Sequence, residues 1–136
     1  MREILFRGKR KDNGEWVCGN YAVTDNDGKQ HFVFQNKAFE FEVDPKTVGQ
    51  YTGLTDDNGK KIFDGDILGV INDDPDYDYI TKVYLDCDTL CVDVEGQDYD
   101  YTAIGFAVDI WGDECDKVEV IGNIYDNPEL LLNYNK

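Results

Sequence analysis

The sequence predicts a mainly β protein: an SH3-like barrel or β-roll with additional strands and a short C-terminal helix. Three observations carry that expectation. Nine Tyr, seven Phe and two Trp accompany many Val, Ile and Thr, residues that pack well on a pleated, half-buried surface. Phe39, Phe41 and Val43 alternate with Glu40, Glu42 and Asp44, the period of a strand with one face in the core and one in water. Residues 48–71 then place two turn signals in one short stretch. Asn58-Gly59 is the strongest short-range hairpin signal and predicts a two-residue type I′ turn. Asp64-Gly65-Asp66 leads into Ile67-Leu68-Gly69-Val70-Ile71, an apolar run of the length of a buried strand. Small SH3-like barrels enter a long bent strand through a Gly-Asp pair followed by aliphatic residues, so a barrel follows by analogy.

At 136 residues the chain reads as a single domain with its own core. Four segments are expected: an N-terminal β-meander (1–43), a central hairpin and barrel motif (48–71), an acidic β segment (72–116), and a terminal strand with a short helix (117–136).

Residues 3–7 form a first strand, followed by the turn Asp12-Asn13-Gly14. Residues 16–24 and 29–35 pair across the reversal at Asp25-Asn26-Asp27-Gly28. The Asp25-x-Asp27-Gly28 arrangement lacks the distal bidentate acid of a calcium loop and reads as an ordinary turn. Asp44-Pro45-Lys46-Thr47 predicts a single helical turn or a type I turn, because the aspartate can cap it and proline fixes the first position.

After the break at residues 72–75, residues 76–85 predict one strand and residues 90–94 another. Residues 98–110 continue at period two as a strand, with a short helix over residues 102–110 as the alternative, since that stretch includes two alanines. Residues 117–121 are a last strand. Asn127-Pro128-Glu129 then reads as N-cap, N1 proline and first-turn acid of a helix bearing Leu130-Leu131-Leu132.

Charge divides the chain. Residues 1–71 hold ten Lys or Arg against twelve Asp or Glu, a net of −2, whereas residues 72–136 hold three against seventeen, a net of −14. Such a field repels nucleic acid and anionic membranes, so direct nucleic-acid binding is disfavoured unless Arg7, Lys9, Arg10 and Lys11 act alone. No apolar run approaches the ~20 residues of a membrane span, and the basic start lacks an apolar stretch behind it, which predicts a cytoplasmic protein without membrane contact.

The four cysteines, Cys18, Cys87, Cys91 and Cys115, read as reduced thiols. Cys87 and Cys91 would lie ~13 Å apart on a strand, too far to share a zinc ion. His31, the only histidine, lies in Gln30-His31-Phe32-Val33-Phe34 and reads as a strand residue. No metal, cofactor or catalytic residue is predicted.

One pattern outside the turns carries chemistry. Asp-Tyr-Asp-Tyr occurs at 76–79 and again at 98–101, with Asp86 and Asp88 between. On a strand Asp76 and Asp78 would share one face at ~6.6 Å spacing, a carboxylate ladder backed by phenols. Asp76, Asp78, Asp86, Asp88, Asp98 and Asp100 are therefore the candidate acidic interaction surface. The plainer reading is a solvated outer face over an aromatic inner one.

Three blocks, in order and spanning almost the whole chain, carry a resemblance. The first is Arg2-Glu3-Ile4-Leu5-Phe6-Arg7. The second runs through residues 48–54 and includes Asp56, Asn58, Gly59, Lys60, Ile62 and Gly65-Asp66-Ile67. The third is Val120-Ile121-Gly122-Asn123-Ile124-Tyr125 with Asn127-Pro128-Glu129-Leu130. In these blocks the chain resembles the YopX proteins of temperate bacteriophages and prophages. The resemblance implies a β-rich, SH3-like barrel or roll and a phage or prophage origin, and it implies no activity.

The resulting expectation is a phage or prophage accessory protein acting as a non-catalytic protein-interaction module. Its partner would be a basic host or phage protein, or a second copy of the chain in a homo-oligomer sealed through exposed edges and the Leu-rich terminal helix. One alternative is an acidic nucleic-acid mimic that inhibits a host DNA-binding protein. The other is a metal-dependent enzyme with Asp64 and Asp66 around Mg²⁺, for which the sequence offers neither a nucleophile-plus-base pattern nor a phosphate loop.

Overall fold

A computed structural model describes residues 5–24, 28–36, 39–86, 89–94, 99–103 and 117–131. The chain divides into two compact units, Met1–Gly53 and Leu54–Lys136. Both are built of antiparallel strands, so the protein is mainly β as its composition predicts.

In the first unit, β1 (Phe6–Lys9), β2 (Trp16–Thr24), β3 (Gln30–Asn36), β4 (Phe39–Glu42) and β5 (Gly49–Thr55) assemble in the order β4-β3-β2-β1-β5. The β2–β3–β4 meander forms as expected, but the predicted alternation fails on β4. Phe39 is 54% exposed, Phe41 and Glu42 are both half-buried, and the β3–β4 register shifts between Phe34 and Asn36, opposite Phe39. The core is Val17, Val33 and Val43, with Phe41 and Val48 packed against it. Asp44 caps the predicted turn, Pro45–Thr47, its carboxylate accepting from the Lys46 amide at 3.1 Å. Val43 lies over Gly8, where an added Cβ would meet the Val43 side chain at 3.0–3.1 Å.

β5 crosses the unit boundary and leads through residues 56–60 into β6 (Lys61–Phe63). The turn differs from the predicted two-residue form. Gly59 N donates to Asp56 O at 3.0 Å and Asp56 N to Lys60 O at 2.8 Å, the bonding of a three-residue loop with Gly59 at φ 82°. The Asp56 carboxylate selects this wider loop, because its Oδ1 accepts from both Asn58 N (2.9 Å) and Lys60 N (2.8 Å).

The rest of the second unit holds two three-stranded sheets. One has the order β12-β7-β8, from Lys117–Asn123, Asp66–Ile71 and Tyr79–Lys82; the other has the order β11-β10-β9, from Tyr99–Ala103, Thr89–Val94 and Tyr84–Asp86. Ile62, Leu68, Val70, Val83, Leu90, Val92 and Val118 form the core between these elements.

Two expectations change here. No sheet among the described residues closes, so the barrel is not observed. Two local causes are visible. The predicted strand 76–85 breaks at Val83, whose amide donates to Asp66 O (2.9 Å) while its carbonyl accepts from Gly65 N (2.9 Å), so β8 and β9 enter different sheets. The edge of β12 away from β7 meets carboxylates instead of another strand.

The second change is at residues 75–77, which form a 3₁₀ turn capped by Asp74 rather than the start of a strand. The short terminal helix forms where expected, as a 3₁₀ turn at Pro128–Leu131 with Leu130 and Leu131 half-buried. Asn127 Oδ1 reaches back to Asn123 N at 3.2 Å. The strand expected through residues 104–110, and Leu132, lie outside the described residues.

Candidate interaction surface

The six aspartates singled out by the sequence do not form the expected ladder at 76–79. Asp76 lies within the 3₁₀ turn, its amide donating to Asp74 Oδ1 at 3.0 Å. Asp78 follows that turn, and its Oδ1 accepts from Asn72 N at 2.7 Å. Both are exposed, but a 3₁₀ turn does not give the two-residue repeat that would align them on one face. The overlooked signal was Asp74-Pro75, the same dipeptide that correctly marked the turn at Asp44-Pro45. Asp86 ends β9 and Asp100 lies on β11, while Asp88 and Asp98 fall outside the described residues.

Other carboxylates act on the fold. Asp56 is buried, and beyond its two bonds within the hairpin its Oδ2 accepts from Val120 N at 2.8 Å. Beside it, Asp57 Oδ2 accepts from Val118 N at 2.7 Å and Asp57 N donates to Val118 O at 3.0 Å. Alternate amides of β12 are thereby satisfied by side chains, which blunts an edge otherwise open to strand pairing. Burial alone would raise the Asp56 carboxyl. The amides of Val120, Lys60 and Asn58 and the charge of Lys60 outweigh it, holding the group below the usual aspartate range.

Asp66 is buried, with Oδ2 accepting from Phe63 N at 2.7 Å across the Gly65 turn. Its carboxylate thus fastens the turn that leads into β7. Among the described residues no group of three or more His, Cys, Asp or Glu is placed to hold a metal ion.

The basic cluster near the start is engaged locally. The Arg7 guanidinium lies 4.8 Å from the Trp16 ring centroid, and that of Arg10 lies 4.4 Å from Phe41. Arg10 also forms a two-bond pair with Asp12, at 2.9 and 2.6 Å, and Lys11 lies 3.5 Å from Glu42. The Arg10 hydrogen bond holds the Asp12 carboxyl below its ordinary value. His31 sits on β3, sharing a hydrogen bond with the Tyr21 hydroxyl through Nδ1 at 2.5 Å, as befits a sheet residue.

A feature that the sequence reading missed lies on the outer face of the β12-β7-β8 sheet. Gly69 on β7 stands between Glu119 on β12 and Ile80 on β8. With no side chain at Gly69, the row sinks into a groove of about 270 Å³, lined also by Ile71, Asp78 and Ile121. Opposite neighbours face the core, Leu68 with Val120 and Thr81, and Val70 with Val118 and Tyr79.

Ile121 reaches the outer face through a bulge. Val120 pairs with Leu68 and Gly122 with Ile67, leaving Ile121 as the extra residue. An added Cβ on Gly69 would meet Ile121 Cγ2 at 3.3 Å. The sequence signal was there: a lone glycine in an apolar strand marks a close approach or a bulge.

The bulge is secured from behind by the terminal turn. Asn123 Oδ1 accepts from Tyr125 N (3.0 Å) and Asp126 N (2.9 Å), and Asn127 N donates to Asn123 O at 2.9 Å. Asn127 covers Gly122 so closely that a Cβ there would fall 2.5 Å from its Oδ1.

These features define an antiparallel β protein whose acidic and amide side chains fasten its turns and edges. Its particular kinship follows from comparison. The family model described as YopX protein matches residues 5–132, and the chain belongs to that family. The SPbeta prophage-derived uncharacterized protein YopX of Bacillus subtilis (strain 168) is 37% identical over 75 residues, which cover 54% of this chain and 52% of that protein. The matched segment thus spans about half the length of this curated relative. The crystal structure of protein EF1440 from Enterococcus faecalis is similar with a TM-score of 0.54 and 25% identity, over 96% of this chain and 99% of that one. No helix among the described residues is long and apolar enough to cross a membrane.

Proposed function

We propose that this chain is a phage or prophage accessory protein that works as a non-catalytic protein-interaction module in the host cytoplasm. One observation carries the reading: the polar residues of the family blocks bind backbone amides of their own fold. Asp56, Asp66, Asn123 and Asn127 each hold a turn or a strand edge. Residues committed to a scaffold leave the acidic segment and the sheet faces to make contacts. The prophage origin of the Bacillus subtilis relative supports the biological setting.

Affinity capture from a bacterial host lysate, at low and at moderate salt, tests the module. A stoichiometric partner is the expected result. Recovery of nothing at either salt, with a monomer by light scattering, would remove the reading.

The nucleic-acid-mimic alternative draws support from the net charge of −14 over residues 72–136. It requires capture of a DNA-binding protein to weaken when Asp76, Asp78, Asp86, Asp88, Asp98 and Asp100 are replaced by Asn. Unchanged capture would exclude the aspartates as its basis.

A further inference from the structure

We propose that the groove over Gly69 is the docking site for an extended peptide segment of a partner protein, one carrying aliphatic side chains beside a lysine- or arginine-rich end. This deepens the interaction-module reading and rests on it. At about 270 Å³ the groove falls just short of the ~300–1,000 Å³ clefts that enclose small organic ligands, which suits one or two aliphatic side chains.

Its apolar wall is built rather than incidental. A bulge turns Ile121 outward, 39% exposed, and Ile80 stands across the Gly69 gap. In an extended peptide, side chains two residues apart share a face at ~6.6 Å spacing, so two can enter a groove that runs along the strands.

Charge selects the other half of the ligand. Asp78 and Glu119 line the groove, and Asp73, Asp74 and Asp76 are exposed on the connection between β7 and β8 at its Asp78 end. Lys117 lies 3.4 Å from Glu119 and offsets that charge in part, while Lys82 stands opposite Ile67, beyond the lining residues. The surplus at the Asp78 end is therefore acidic. A basic end there would be drawn in by charges it does not have to bury, a gain that weakens as salt rises.

The test is a titration of the full chain, followed by amide and methyl NMR shifts and fluorescence anisotropy. The probe is an acetylated, amidated peptide Leu-Thr-Leu-Lys-Lys. Saturable binding is expected, with shifts centred on Gly69, Ile80 and Ile121 and an affinity that falls several-fold between low and moderate salt. Exchanging both leucines for serine, or both lysines for glutamate, should each weaken binding about tenfold or more, the order expected from losing one or two buried aliphatic groups or the favourable charge.

Gly69→Val fills the floor in a residue type suited to strands, and Glu119→Gln removes charge while keeping a carbonyl for Asn58. With the thermal transition retained, Gly69→Val should abolish binding and Glu119→Gln weaken it. Ile121→Ser, at an exposed position, covers the case in which Gly69→Val does not fold.

Equal binding of the serine peptide, shifts away from the groove, or undiminished binding by both Gly69→Val and Ile121→Ser would overturn the proposal. Concentration-dependent self-association with shifts at Ile80 and Ile121 would also overturn it, in favour of a second copy as occupant. A lysate partner captured equally by wild type and Gly69→Val would leave the interaction module standing and dismiss only this groove.

Discussion

Asp56 Oδ2 accepts the Val120 amide at 2.8 Å across 64 residues of sequence, fixing a hairpin turn to the edge of a strand near the other end of the unit. The same carboxylate accepts two further amides, from Asn58 and Lys60. A single buried side chain thus sets the width of the turn and protects the edge of β12.

Replacing Asp56 with Ala should therefore cost more than an ordinary surface change. Stranding buried or half-buried donors costs ~1–3 kcal/mol each before water recovers part of it, which places the loss at about 2–4 kcal/mol. Urea denaturation checks this. A change within the ~0.5 kcal/mol typical of neutral surface positions would contradict the edge-capping role.

The same residue sets a pH dependence. Its folded-state carboxyl is held below the usual range, so the unfolded chain takes up a proton first as pH falls. Its stabilising contribution is complete above the unfolded value near ~3.9 and is lost as pH drops through the lower folded value. The stability difference between wild type and Asp56→Ala should be constant from neutral pH to about pH 5 and shrink in more acid solution. A difference that grew on acidification would refute the assignment.

Gly122 should not tolerate a methyl group. A Cβ would fall 2.5 Å from Asn127 Oδ1 and 3.0 Å from its Cβ, so the terminal turn must shift. Gly122→Ala is expected to destabilise by about 1–3 kcal/mol, the range of overpacking changes. In a double-mutant cycle with Asn127→Ala the two losses should be non-additive, since alanine removes the contact at Oδ1 and leaves only the 3.0 Å approach to its Cβ.

Thiol reactivity should separate two cysteines. Cys18 is exposed on β2, whereas Cys91 is 2% exposed on β10 with Sγ 3.5 Å from Thr89 O. Mass-spectrometric mapping after brief alkylation should find Cys18 modified in the folded protein and Cys91 modified only after unfolding. Early labelling of Cys91 would contradict its burial.

Much of the fold is legible in short stretches. The 16–24 strand, the Phe39–Glu42 strand and the Asp44-Pro45 turn depend on period and on neighbouring residues, which any sequence displays. Where the reading went astray, a nearby side chain or a distant backbone group had intervened. The Asp56 carboxylate widened the Asn58-Gly59 turn, and the bonds of Val83 to Gly65 and Asp66 divided one predicted strand between two sheets. The turn at 75–77 was different, because its Asp-Pro signal was local but lay beside an alternation that resembled a strand.

The sequence by itself determined the β class, most of the turns, the family blocks and the concentration of negative charge in the second half. Each of these is a property of composition or of residues a few positions apart. Only tertiary structure decided that no sheet closes among the described residues, that Asp76 and Asp78 leave the strand, and that Ile121 swings over Gly69 to form a groove. Those outcomes depend on which amide a carboxylate reaches across the fold and on where a bulge displaces the register, and neither distance is written in the order of the residues.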